Sequence, residues 1–101
     1  MSHYSQTAPL QIKSIEELIA ALMQSGGWTR EQIEVHATPQ PLVGYMGDRR
    51  AQQAHVIIRR RWVGSMSNDL GFIRNDDGTF QAVISDYDAR RYSPEWVRGL
   101  V

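Results

Sequence analysis

With 101 residues, the chain is long enough for one modest core and too short for two. Eleven basic residues balance eleven acidic ones, which excludes binding driven by bulk charge to nucleic acid or an anionic membrane and leaves only local patches. The absence of cysteine excludes disulfides, thiolate metal sites and a cysteine nucleophile, and suits a cytoplasmic location.

The start, Met1-Ser2-His3-Tyr4-Ser5-Gln6, has no basic stretch leading into an apolar one, so no secretory signal is expected. No apolar run approaches the roughly 20 residues that cross a bilayer. In residues 4–13, Leu10 and Ile12 alternate with Gln11 and Lys13, the period of a half-buried strand. Pro9 cannot donate to a ladder, so this strand starts after it or lies at an edge. Ser14-Ile15-Glu16-Glu17 is a capping box, and it opens a helix with Ile15, Leu18, Ile19, Leu22 and Met23 on one face. Gly26-Gly27 ends that helix. Thr29 and Gln32 cap a further short turn, and residues 34–37 read as a short strand. Pro39 and Pro41 then require a loop or an extended edge.

Glycines flank Tyr45 in Gly44-Tyr45-Met46-Gly47, which predicts a bend, and the polar residues 48–53 read as loop. Residues 54–60 form the strongest strand, with Ala54, Val56 and Ile58 on one face and His55, Ile57 and Arg59 on the other. Residues 70–74 pair with 79–85 across Asn75-Asp76-Asp77-Gly78, a hairpin signal that turns Phe80, Ala82 and Ile84 toward the core. Ser93-Pro94-Glu95 opens a last helix, with Trp96, Leu100 and Val101 on one face. The expected fold is therefore α+β: an antiparallel sheet of three to five strands, covered on one face by one amphipathic helix, with a short C-terminal helix. That arrangement brings the Tyr45 bend close to Arg59.

Several motifs occur in a fixed order. They are Met1-Ser2-His3-Tyr4, the capped helix after Ser14, Gly44-Tyr45-x-Gly47-Asp48-x-Arg50 and Val56-Ile57-Ile58-Arg59. Asn68-Asp69-Leu70-Gly71-Phe72, Asp77-Gly78-Thr79-Phe80 and Ile84-Ser85-Asp86-Tyr87-Asp88 follow. The ordered set resembles the conserved chloroplast and cyanobacterial reading-frame family ycf thirty-five, a domain of unknown function, here in a short form. The resemblance implies a cytoplasmic α+β domain and carries no activity, cofactor or catalytic residue.

Candidate chemistry divides by residue type. Asp48, Asn68, Asp69, Asp86 and Asp88 could converge as oxygen ligands for a hard cation or as acid–base pairs. All of them also occupy ordinary turn positions, where short polar side chains bond neighbouring amides. His3, His36 and His55 show neither HxxxH nor HExxH spacing, so no shared zinc site is expected. Gly64-Ser65-Met66-Ser67 is not a nucleophile elbow, and Gly44-x-x-Gly47 lacks the Gly-Lys-Ser/Thr end of a phosphate-binding loop. No cofactor is called for.

Arg59-Arg60-Arg61-Trp62, Arg49-Arg50 and Arg90-Arg91 concentrate guanidinium groups, with Tyr45, Trp62 and Tyr92 as aromatic faces that could stack single-stranded bases. Trp28, Trp62 and Trp96 could anchor a protein interface, with core packing an equal alternative for two of them. The leading expectation is a non-enzymatic protein-binding or adaptor module, with a protein partner or self-association. Its binding residues are Tyr45, Arg50, Arg59 and Trp62, beside Asn68 and Asp69. A cation-dependent small hydrolase on the Asp48/Asn68/Asp69/Asp86 rim and a single-stranded nucleic-acid binder are the alternatives.

Overall fold

The computed structural model of the protein describes residues 3–100. Met1 and Ser2, which belong to the motif set, and Val101, expected on the apolar face of the last helix, lie outside them. The elements in chain order are β1 (Tyr4–Gln6), α1 (Ile15–Gly26), β2 (Glu34–Val43), β3 (Arg49–Ile58), α2 (Arg60–Val63), β4 (Leu70–Arg74), β5 (Phe80–Ser85) and α3 (Pro94–Arg98). Single 3-10 turns occupy Arg30–Gln32 and Asp88–Arg90. The five strands make one antiparallel sheet in the order β1-β5-β4-β3-β2. This is the α+β architecture read from the sequence. Among the described residues no helix is long and apolar enough to cross a membrane.

α1 forms where its caps put it. The Ser14 hydroxyl accepts the Glu17 N–H at 3.4 Å, and Gly27 takes the left-handed conformation (φ 74°) that a side chain would resist. Leu18, Ile19, Ala21 and Leu22 are buried on the sheet against Val56, Ile58, Phe72, Phe80, Ala82 and Ile84. Each large apolar side chain so buried contributes about 1.5–3 kcal/mol. Met23, expected in the buried stripe, is instead exposed, at its far margin. Trp28, Tyr92 and Trp96 close the end of this core as an aromatic triad with ring centroids 4.9–6.2 Å apart.

Three expectations are corrected. The first strand is only Tyr4–Gln6. Leu10 and Ile12 are buried and Gln11 and Lys13 exposed, as the alternation requires, but outside the ladder. Residues 49–53, read as loop, are strand. They are polar because they lie in a two-stranded ribbon, β2 with the first half of β3, that runs past the β4 ladder. Ala54 does not join Val56 and Ile58. The β3–β4 ladder ends at Val56↔Phe72, His55 Nδ1 accepts the Arg74 N–H at 3.0 Å, and Ala54 packs with Leu42, Ile57 and Val83 on the opposite face.

That second cluster exists because the ribbon curls. β2, an edge strand carrying Pro39 and Pro41, has register breaks between Val35 and Gln40 and between Pro41 and Val43. The curl lays Leu42 and Ala54 over Gly71. A Cβ there would stand 2.7 Å from that of Ala54, so glycine is what permits the approach. The tip of the ribbon is thereby delivered to the start of β4, where the polar residues cluster.

Candidate functional site

The polar cluster is built on Asn68 and Asp69, which lie immediately before β4. Ile58 pairs with Leu70, so Arg59 falls beside Asp69 as the two strands continue. The chain reaches Asn68 through the turn of α2 and a Gly64-to-Ser67 reversal, closed by the Ser67 N–H on the Gly64 carbonyl at 3.1 Å. From the other side, β5 supplies Ser85, and the 3-10 turn after it supplies Asp88.

Every one of these polar groups is turned inward. Asn68, Asp69, Ser85 and Asp88 are each 3% exposed or less. Asp69 Oδ2 accepts the Val43 N–H at 2.8 Å and Arg59 Nη1 at 2.9 Å, while Oδ1 accepts the Arg60 N–H at 2.7 Å. Its carbonyl accepts the Tyr4 hydroxyl at 2.6 Å. Asn68 Oδ1 accepts the Tyr45 N–H at 2.9 Å, and its amide nitrogen donates to Ser85 Oγ at 2.9 Å. Asp88 Oδ2 accepts the Asn68 N–H at 2.9 Å and the Ser85 hydroxyl at 2.8 Å. Among the described residues no buried side-chain nitrogen or oxygen lacks a partner. Such a network stabilises one arrangement because each lost partner would leave a desolvated polar group.

The cluster shades outward through Arg59, whose Nε donates to Glu34 Oε2 at 2.9 Å. Hydrogen bonding to Glu34, and then to Asp69, holds the guanidinium in its charged form more firmly than usual. Burial opposes ionisation of Glu34, but hydrogen bonds from Arg59 and His36 outweigh it and keep the carboxyl below its ordinary range. Burial raises the Tyr4 hydroxyl far above its ordinary value, with the Asp69 charge adding to the effect. Arg50 lies over the Tyr4 ring at 5.2 Å and within 3.7 Å of Asp48.

The site residues read from the sequence therefore divide. Asn68, Asp69 and Arg59 come together beside the Tyr45 bend, where the fold reading had placed Arg59 alone, and they bind the chain itself. Arg50 is engaged with Tyr4 and Asp48. Asp86 is exposed, and among the described residues no group of three or more His, Asp and Glu side chains is placed to hold a metal ion. Tyr92, offered as an aromatic face, is buried against Trp28 and Trp96. Arg60 and Arg61 belong to a helical turn rather than to a strand.

Tyr45 and Trp62 do face outward, and the structure adds Met66 and Tyr87. The four are between 40% and 53% exposed. Met66 and Tyr87 border a cleft of about 510 Å3, together with Gly64, Ser65, Arg90 and Arg91. Two of its guanidinium groups lie over rings, Arg90 over Tyr87 at 4.5 Å and Arg91 over Tyr92 at 5.4 Å, and on the helical turn that leads into it Arg61 lies over Trp62 at 5.0 Å. The Trp62 carbonyl accepts Trp28 Nε1–H at 2.9 Å, which ties this rim to the core. Met66 and Tyr87 carried no signal by residue type, but Arg61-Trp62 and Tyr87-x-x-Arg90 are spacings at which an arginine can reach an aromatic ring.

Comparison of the chain with protein families, with curated proteins and with solved structures finds no match.

Proposed function

We propose that the protein is a non-enzymatic binding module that docks a protein partner on the rim formed by Trp62, Met66, Tyr87, Arg61, Arg90 and Arg91. One observation carries this reading: exposed large apolar side chains and arginines held over aromatic rings lie on the two segments that flank a polar cluster satisfied internally. Tryptophan, tyrosine, methionine and arginine are the residues enriched at interface centres. A backing in which each buried polar group is already bonded presents them with little ordering cost on binding. The buried carboxylate of Asp69 supports no acid–base role, since both its oxygens accept the chain's own N–H groups. We place the module in the cytoplasm and off the membrane, as the cysteine-free composition and the ycf thirty-five resemblance suggest.

The test compares proteins retained from native-cell extract by the tagged protein, by Trp62→Ala/Tyr87→Ala, and by Met23→Ala, which truncates an exposed methionine on α1. A partner lost by the first variant and kept by the second is the expected result. Identical retention by all three, with circular dichroism unchanged, overturns the reading.

A further inference from the structure

Four of the five arginines at this end of the molecule have no acid paired to them among the described residues. Segments 59–67 and 86–92 contain Arg59, Arg60, Arg61, Arg90 and Arg91 against Asp86 and Asp88. Arg59 is neutralised by Glu34 and Asp69. Asp88 is buried and bonded by Asn68 and Ser85, which leaves Asp86 as the exposed acid of the two segments. Among the described residues the ion pairs join His36 to Glu34, Arg50 to Asp48, Arg59 to Glu34 and Asp69, and Arg98 to Glu95; none takes Arg60, Arg61, Arg90 or Arg91. In a chain of zero formal charge this is segregation of charge, not an excess of it.

The contact with the rings sets what these groups can do. A guanidinium held over a ring meets no acceptor oxygen there, so the N–H donors it does not use elsewhere can fork onto a carboxylate. Arg90 donates Nε–H to the Tyr87 carbonyl at 3.3 Å, which leaves both terminal nitrogens for another acceptor. Arg60 binds the Ser67 and Ser65 carbonyls through Nε and Nη2, bracing the turn that forms the opposite wall. Met66 adds an adaptable apolar contact.

We infer that the cleft between the Gly64-to-Ser67 turn and Tyr87–Arg91 takes an acidic peptide segment, with carboxylates on Arg90 and Arg91 and an apolar side chain against Met66 and Tyr87. The inference rests on the adaptor reading above and names the chemistry of its partner. A peptide fits better than single-stranded nucleic acid. Base binding needs open ring faces, whereas Tyr87 already carries Arg90 on one face and Tyr92 is buried. A neutral chain also lacks the polyelectrolyte attraction that supplies most nonspecific nucleic-acid affinity.

Fluorescence anisotropy of a fluorescein-labelled glutamate-rich peptide containing one leucine tests this, with its lysine counterpart and oligouridine as comparators. The glutamate peptide is expected to bind, and added salt to weaken it. Arg90→Ala/Arg91→Ala should lose about tenfold or more in affinity. Arg90→Lys/Arg91→Lys, which keeps charge and fold but loses the forks, should lose part of it, and Arg98→Ala none. No binding at low salt, equal binding by the double alanine variant, or tighter binding of oligouridine would overturn the inference. A partner retained from extract through Trp62 and Tyr87 without peptide binding would also overturn it, and would leave the adaptor reading standing. Peptide binding with extract capture indifferent to Trp62 and Tyr87 would support the cleft and remove that reading.

Discussion

The buried cluster around Asn68 and Asp69 and the rim outside it both use arginine, yet their arginines have opposite relations to the chain. In the cluster, aspartate, asparagine and arginine find their partners in groups of β1, β2 and β5 and of the residues that open α2. In the rim, arginines lie on aromatic rings and meet no carboxylate among the described residues. The difference is one of solvent. A polar group under the ribbon must be satisfied internally or cost about 1–3 kcal/mol, whereas one at the cleft mouth can stay in water until a ligand arrives. Residue identity is therefore a poor guide to function here, and the location of the partners a good one.

The sharpest way to break the cluster is Asp69→Asn. The substitution keeps the shape but removes the charge that Arg59 faces and turns an amide NH2 toward one of the N–H donors. Leaving Arg59 with Glu34 alone and a buried N–H donor facing the new NH2 should cost about 3–5 kcal/mol, read as a lower urea midpoint. Retention of wild-type stability would mean that the cluster is no more structural than the rim.

A second route leaves the cluster's residues untouched and moves what covers it. Gly71→Ala introduces a Cβ against Leu42 and 2.7 Å from that of Ala54, which has no rotamer to relieve the clash and can yield only if the ribbon lifts. A loss of about 1–3 kcal/mol is expected. Because Val43 and Tyr45 reach Asp69 and Asn68 only through the curl, hydrogen exchange at those two amides should accelerate before exchange in α1 does. Uniform acceleration would show that the ribbon and the helix-covered face unfold as one unit.

How much of this was legible depends on sequence distance. α1 and the β4–β5 hairpin are local: Ser14, Gly26-Gly27 and Asp77-Gly78 act on neighbours, and periodicity does the rest. Alternation marks a strand only where one face is buried, so the first half of β3 does not display it. Residues 49–53 are strand by virtue of β2, not of a core. Asn68 and Asp69 looked like turn residues before a strand. Their role is set by Tyr4, 65 residues from Asp69, by Val43, 26 away, and by Asp88, 20 from Asn68. No local pattern encodes such a meeting. Trp62 could be assigned to the outside only once Trp28 and Trp96 were seen to fill the core end with Tyr92.

Glu34 lies at the boundary between the two regions, and the smallest expected effect is found there. It holds Arg59 from the solvent side, with its side chain 35% exposed. Its carboxyl titrates below the ordinary range in the folded chain, so the folded state binds its proton less readily than the unfolded state does. The stabilisation is accordingly complete above the ordinary glutamate value and is lost as pH falls through the lower, folded one. Glu34→Gln should cost about 0.2–1 kcal/mol at neutral pH, the size of a partly solvated ion pair. The gap between the two urea midpoints should close on acidification, since wild type then also carries a neutral side chain. A gap that persists once Glu34 is protonated would assign its contribution to shape and hydrogen bonding rather than charge. That result would move Glu34 from the border into the cluster proper.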